Sequence, residues 1–200
     1  MKNKVILIVL IIFALFTITG CETKKENAIE NTPDFNNTSN EIKEDKKSLV
    51  LYFSATGTTK SIAQRIANES NSEIVEIMPK EKYTSEDLNY NSDCRANREQ
   101  RDSSSRPQIE NSIDITKYDT IYLGYPIWWG TNPKIILTLL DTYDFTGKTI
   151  IPFCTSGSSG ISGSVNDLRN YNSSLNIKDG KRFSTSDSDE VIKEFIKSNK

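Results

Sequence analysis

The chain has 200 residues, 36% apolar and 26% charged, with 25 Lys+Arg against 27 Asp+Glu and a formal net charge of −2. So balanced a charge, with no run of basic residues, excludes the positive face that nucleic-acid binding needs. There is no histidine, and Cys21, Cys94 and Cys154 form no C-x-x-C pair, so the usual nucleophile systems that rest on an imidazole base and the usual zinc sites are excluded, and no metal is expected.

Lys2 and Lys4 precede an almost unbroken apolar run over residues 5–16, followed by Ile18-Thr19-Gly20-Cys21. A basic start, an apolar stretch and small residues before a cut site describe a secretory signal peptide over residues 1–20. The run is short for a membrane-spanning helix, which takes about 20 residues. Ile18-Thr19-Gly20-Cys21 resembles the lipobox of bacterial lipoproteins. That resemblance implies that Cys21 takes a diacylglycerol through its sulfur, becomes the new N-terminus and holds the protein on the outer side of the cell membrane. The alternative is an ordinary signal peptide or anchor with a chance cysteine. Residues 22–46 are polar and aperiodic, too poor in apolar surface to offset the entropy of ordering, and read with Cys21 as a flexible tether over 21–46.

From residue 47 onward, strand and helix patterns alternate. Residues 48–53 (SLVLYF) form a continuous apolar run that ends in a Ser/Thr/Gly cluster, the pattern of a strand covered on both faces. Ile62, Ala63, Ile66 and Ala67 then make one helical stripe, and residues 73–77 a short second strand. Residues 80–119 are a polar excursion with a possible short helix over 93–100. A third strand over 120–125 (TIYLGY) closes at Pro126. The next helix starts near Pro133 and carries Ile135, Ile136, Leu139 and Leu140 on its apolar face. Residues 149–154 (TIIPFC) are a fourth strand, in which Pro152 lacks a ladder donor and calls for a bulge or an edge-facing position. Val165 and Leu168 mark a further helix. A weak fifth strand lies within 175–183, and Val191, Ile192, Phe195 and Ile196 mark the last helix. This alternation predicts an α/β domain over 47–200, a doubly wound parallel sheet with helices on both faces.

In such a sheet, ligands bind beyond the carboxyl ends of the strands. Three loops follow strong strands. The first, Ser54-Ala55-Thr56-Gly57-Thr58-Thr59, puts hydroxyls and free N–H groups at a helix start, which suits a phosphate and equally suits plain helix capping. It contains neither a Walker lysine nor a G-x-G-x-x-G pattern. The second, Pro126-Ile127-Trp128-Trp129-Gly130-Thr131-Asn132-Pro133, holds both tryptophans of the chain; they meet a flat aromatic ligand or pack onto the core. In the third, Thr155-Ser156-Gly157-Ser158-Ser159-Gly160, small residues allow close backbone approach to a ligand or make a plain connection.

Together these loops resemble the flavodoxin-like family. Ser54-x-Thr56-Gly57-x-Thr59 is similar to its phosphate loop. Leu123-Gly124-Tyr125-Pro126-Ile127-Trp128-Trp129-Gly130 is similar to its second loop, and Ile151-Pro152-Phe153-Cys154-Thr155-Ser156-Gly157 with the Gly/Ser run after it to its third. The resemblance covers residues 48–200. It implies a five-stranded sheet of order 2-1-3-4-5 and bound FMN. Ser54, Thr56, Gly57, Thr58 and Thr59 would hold the phosphate. Pro126, Ile127, Trp128, Trp129 and Gly130 would flank the isoalloxazine, with a Trp packed on or beside it. Thr155, Ser156, Gly157 and Gly160 would pass along its pyrimidine edge. A backbone carbonyl at Gly157, Gly130 or a neighbour would turn to meet the reduced flavin. A crowded, weakly polar site would lower the cofactor's potential. The domain departs from many flavodoxins in three ways. It carries about one negative charge where they are strongly acidic, its third loop has no aromatic residue, and it is expected outside the cytoplasm.

The leading functional expectation is an electron shuttle that serves redox partner proteins. A quinone-reductase-type flavoenzyme using NAD(P)H and a lipoprotein that binds a ligand other than flavin are the alternatives. Cys154, at the end of an apolar strand, reads as a free buried thiol; Cys94 lies in the excursion, and a bond between the two would need suitable geometry.

Overall fold

The computed structural model describes residues 47–200. The signal peptide at 1–20, the lipidation site Cys21 and the tether at 21–46 fall outside the described residues. Elements follow in the order β1 (Ser48–Tyr52), α1 (Thr58–Ser70), β2 (Glu73–Glu76), α2 (Arg95–Arg101), β3 (Thr120–Pro126), α3 (Lys134–Thr142), β4 (Thr149–Thr155), α4 (Ser162–Tyr171), β5 (Asn176–Ile177), β6 (Lys181–Phe183) and α5 (Asp189–Ser198).

Successive residues of β1 point to opposite faces and so belong to two cores. Val50 and Tyr52 pack with Ile62, Ala63 and Ile66 of α1 and Ile192, Phe195 and Ile196 of α5. Leu49, Leu51 and Phe53 pack on the other side, with Ile135, Ile136 and Leu139 of α3, Val165 and Leu168 of α4, and Ala96 of α2. Every one of these side chains is buried. Full burial of a side chain of this size contributes about 1.5–3 kcal/mol before entropy is counted. The excursion is polar in composition, yet it covers this second face: Ile113, Ile115 and Tyr118 are buried there, spaced too irregularly to give a helical or strand signal.

The sheet is parallel throughout, in the order β2-β1-β3-β4-β5, with β6 also paired to β4. The order is the expected one, but the fifth position is filled by two pieces. β5 pairs with Thr149 and Ile150, and β6 with Phe153, Cys154 and Thr155. Pro152 explains the break. Lys178 N–H donates to Ile150 O at 2.9 Å, so Ile150 turns its backbone toward this edge. Pro152, two residues on, turns the same way with no N–H to offer. The link between β5 and β6 passes there; Gly180 takes φ 70°, and a Cβ on it would lie 2.3 Å from Pro152 O. On its other side β4 keeps continuous register with β3 through Leu123↔Pro152. Of the two expectations for Pro152, the edge-facing position holds and no bulge is needed.

Candidate functional site: a cleft at the carboxyl edge of the sheet

β1, β3, β4 and β6 all run the same way, so the loops after them open on one edge of the sheet. They enclose a cleft of about 530 Å³ lined by Thr56, Thr58 and Thr59, by Pro126, Ile127 and Trp128, and by Thr155, Ser156 and Gly157. Ala55, Leu88, Tyr90, Phe183, Ser184 and Thr185 complete it, and none of the lining residues is charged.

The first loop turns at Gly57, where φ is 88°. Gly57 N–H donates to Ser54 Oγ at 3.1 Å, which folds the loop back on itself. The first bond of α1 runs from Ser61 N–H to Gly57 O at 3.0 Å. The amides of Thr58, Thr59 and Lys60 therefore precede the helical ladder, as at any helix start. No acidic side chain occupies the first turn. The Thr56 and Thr58 hydroxyls lie 3.4 Å apart on the exposed rim. Thr59 is buried, and its hydroxyl meets that of Thr155 at 2.8 Å, tying the first loop to the third. This end of the cleft offers hydroxyls, free amides and the positive end of a helix dipole, with no carboxylate against an anion.

In the second loop the two tryptophans part company. Trp128 is 4% exposed and packs edge-on against Phe53 and Tyr83, with ring centroids at 5.6 and 5.1 Å. Trp129 is 64% exposed and does not line the cleft; its ring stands 6.2 Å from that of Tyr90. A two-residue hairpin separates them. Trp128 and Thr131 exchange backbone hydrogen bonds, while Trp129 at φ 54° and Gly130 at φ 79° form the tip. This is the turn that matches strand twist and requires positive φ at both central residues. An aromatic residue there is strained by about 1–2 kcal/mol. Its indole N–H donates to Asn97 Oδ1 at 3.1 Å. Asn97 is buried and also donates to Tyr90 O and Ser92 O. Gln100 Nε2 donates to Trp128 O and Asn132 O at 3.1 Å each. Thus α2, capped by Cys94 Sγ accepting from Asn97 N–H, fastens the aromatic loop to the excursion.

The third loop starts from Thr155, whose carbonyl accepts from Ile127 N–H at 2.9 Å. Ser156 O accepts from Arg182 Nη1 at 3.1 Å, and Ser156 Oγ donates to Ser159 O. Nothing lies within 4 Å of a Cβ placed on Gly157 or Gly160. Beneath the loop, burial pushes the Cys154 thiol up to about 12, with Arg182 pulling weakly the other way. That sulfur stays protonated and unreactive near neutral pH. Cys94 and Cys154 are both free and buried. Tyr125, at the end of β3, shares a 3.1 Å hydrogen bond with Ser164 of α4, and burial holds its hydroxyl far above the ordinary tyrosine range.

Of the residues expected in the site, Thr56, Thr58, Thr59, Pro126, Ile127, Trp128, Thr155, Ser156 and Gly157 are brought together around the cleft. Ser54 and Gly57 shape the first loop, Gly130 shapes the hairpin, and Trp129 and Gly160 lie outside the lining. Sequence reasoning did not find Leu88 and Tyr90, which come from the excursion, or the fourth loop, Ser184-Thr185. The hydroxyl run at 184–186 after an apolar residue is the signal that would have found that loop, had the last strand been located.

Residues 47–199 match the flavodoxin family. The fold is similar to that of a chain from Bacteroides uniformis ATCC 8492 provisionally named a flavoprotein, at 43% identity and a TM-score of 0.73 over 76% of this chain and 98% of that one. A counterpart from Bacteroides eggerthii DSM 20697, provisionally named in the same way, is 36% identical with a TM-score of 0.74, over 77% and 98% of the two chains. A flavoprotein from Lactobacillus acidophilus NCFM, solved in complex with FMN, is 30% identical with a TM-score of 0.59, over 68% of this chain and 93% of that one. No curated protein matches. The parallel order 2-1-3-4-5, the hydroxyl-rich turn into α1 and the match over 47–199 agree, and the chain belongs to the flavodoxin family.

Proposed function

We propose that this protein binds FMN in the cleft and transfers electrons outside the cytoplasm, held to the cell membrane by lipid on Cys21. The observation that carries the reading is the cleft itself. Its lining joins the Thr56, Thr58 and Thr59 hydroxyls at the start of α1 to the apolar surface of Ile127, Trp128, Leu88, Tyr90 and Phe183. A volume of about 530 Å³ falls in the range of cofactor sites.

FMN, when bound, supplies the redox chemistry, and the protein supplies binding, orientation and electrostatics. Thr56, Thr58 and the first-turn amides would hold the phosphate, and Ser54 fixes the turn they sit on by accepting from Gly57 N–H. The Thr59–Thr155 bond holds the first and third loops at a set separation. Trp128, packed edge-on against Phe53 and Tyr83, adds a firmly held aromatic side chain to the apolar wall. Thr155, Ser156 and Gly157 bring the third loop's backbone to the cleft, and Gly157 lets a ring approach closely. Leu88 and Tyr90 extend the cleft wall with side chains from the excursion. Lipid on Cys21 rests on the lipobox-like segment at residues 18–21, and partner redox proteins rest on membership of the flavodoxin family.

The test is an absorption and fluorescence titration of the full chain with FMN. Shifted flavin bands with quenched emission are expected; free-flavin spectra throughout would refute the reading. Partition into a detergent phase, lost in C21A, tests the anchor. A second reading, a flavoenzyme with its own substrate, is favoured by one observation: the excursion contributes Leu88 and Tyr90 to the cleft wall, where an electron shuttle needs no substrate pocket. Steady-state quinone reduction by NAD(P)H would decide for it.

A further inference from the structure

Seven arginines lie among the described residues, and six hold a carboxylate. Arg65 pairs with Asp189 at 2.7 Å, Arg95 with Glu99 at 2.7 Å, Arg106 with Asp141 at 2.7 Å and Arg169 with Asp179 at 2.8 Å. Arg98 and Arg101 both meet Asp93. Arg182 has no carboxylate within 4.0 Å among the described residues. It instead donates Nη1 to Ser156 O at 3.1 Å, and Ser156 lines the cleft.

The fold accounts for this placement. Arg182 lies in register with Cys154, between Lys181 and Phe183. Phe183 belongs to the core on the α1 and α5 side and lines the cleft. Lys181 shares that face and borders a groove with Glu194 and Phe195. Alternation sends Arg182 to the opposite face, over the end of β4, where the third loop begins. The result is an uncompensated guanidinium one hydrogen bond from a cleft lined by no charged residue at all.

We propose that Arg182 is the counter-charge for the electrons the cleft receives, and that it favours the reduced over the oxidised cofactor. This rests on the FMN reading above. An oxidised ring system is neutral. A ring carrying two added electrons acquires negative charge unless it takes up a proton for each. A fixed cation near the third loop stabilises that charge, and a neutral apolar site alone would not. The structure thus offsets the lowering of potential that a weakly polar site produces. Arg182 contributes no proton and no electron. It acts through its field and through its hold on Ser156 O.

The experiment separates those two actions in the full chain. R182Q keeps a donor for Ser156 O and loses the charge; R182K keeps the charge and loses the planar fork. FMN affinity is measured by fluorescence quenching, oxidised and then reduced with dithionite, and the midpoint potential by equilibration with a redox dye. For R182Q, binding of oxidised FMN stays within about twofold. Binding of reduced FMN weakens about fivefold, the order of a partly screened charge pair. That ratio corresponds to a potential lower by about 20 mV for a two-electron couple at 29.6 mV per decade. R182K retains most of the wild-type difference, and the difference shrinks as ionic strength rises. Equal weakening of both redox forms, or equal behaviour of R182K and R182Q, would overturn the proposal and leave Arg182 as a prop for the loop. A wild-type chain that quenches no flavin would end the FMN reading, and this proposal with it.

Discussion

Gly124 carries the sharpest stability prediction, because its neighbour leaves no space at all. It lies in the middle of β3, between Tyr52 of β1 and Phe153 of β4. Its backbone is ordinary, so conformational freedom is not the issue. A Cβ at this position would stand 2.2, 2.5 and 2.9 Å from three atoms of the Phe153 ring. That ring is fully buried and packs against Phe183, with centroids 6.5 Å apart. Phe183 in turn meets Phe195 at 5.2 Å and lines the cleft. G124A must therefore push one ring into a chain of rings that ends at the site. Overpacking costs about 1–3 kcal/mol, and the closeness here places the loss at the upper end. For a domain of this size each kcal/mol lowers Tm by about 2–4 °C, so a fall of about 6–12 °C is expected. Urea unfolding followed by tryptophan fluorescence, with unchanged m, is the assay. F153L alone should also destabilise, through the space it leaves. Combined with G124A it should recover at least about 1 kcal/mol against the sum of the two, the coupling expected of residues in contact. A Tm within a degree of wild type for G124A, or strict additivity in the double variant, would refute the steric account.

Gly57 is the opposite case: no atom lies within 4 Å of its missing Cβ, but φ is 88°, so G57A should cost about 1–2 kcal/mol by backbone strain alone, and G57N, checked by the same unfolding assay, should cost less. The two tryptophans should separate cleanly: W128A is expected to lose about 3–5 kcal/mol, whereas W129G gives up one indole hydrogen bond but relieves left-handed strain, leaving chemical-denaturation midpoints within about 1 kcal/mol of wild type. Asp141 accepts from Tyr171 and pairs with Arg106, and these contacts hold its carboxyl below the ordinary 3.8. The unfolded chain then binds more protons, so this contribution is present above about pH 3.8 and is lost as pH falls through the lower folded value. D141N should cost about 0.5–1 kcal/mol at pH 7, with the gap to wild type closing in melts taken at progressively lower pH below 3.8.

The class of fold and the edge on which function gathers are legible from local patterns alone. Alternating apolar runs and helical stripes carry that information locally: 48–53, 120–125 and 149–154 are covered on both faces and read as such, and β1, β3 and β4 follow them closely. The hydroxyl cluster before α1 and the Gly/Ser run after β4 are local too, since what makes them useful is the absence of bulk and the start of a helix. Everything that depends on partners distant in sequence emerges only once the chain is folded. The fifth strand is split because Pro152, some thirty residues earlier, cannot donate to it, a conflict that periodicity cannot register. Trp128 and Trp129 are neighbours of one residue type, and only the left-handed hairpin and the anchors on Asn97 and Gln100 send one into the core and the other to the surface. The polar excursion reaches the core through Ile113, Ile115 and Tyr118 and the cleft through Leu88 and Tyr90, at positions with no regular spacing to mark them. Arg182 reads as one basic residue among many in the sequence; it is distinguished only by what lies around it once β6 is paired to β4, because a charge is set apart by the partners it lacks in space.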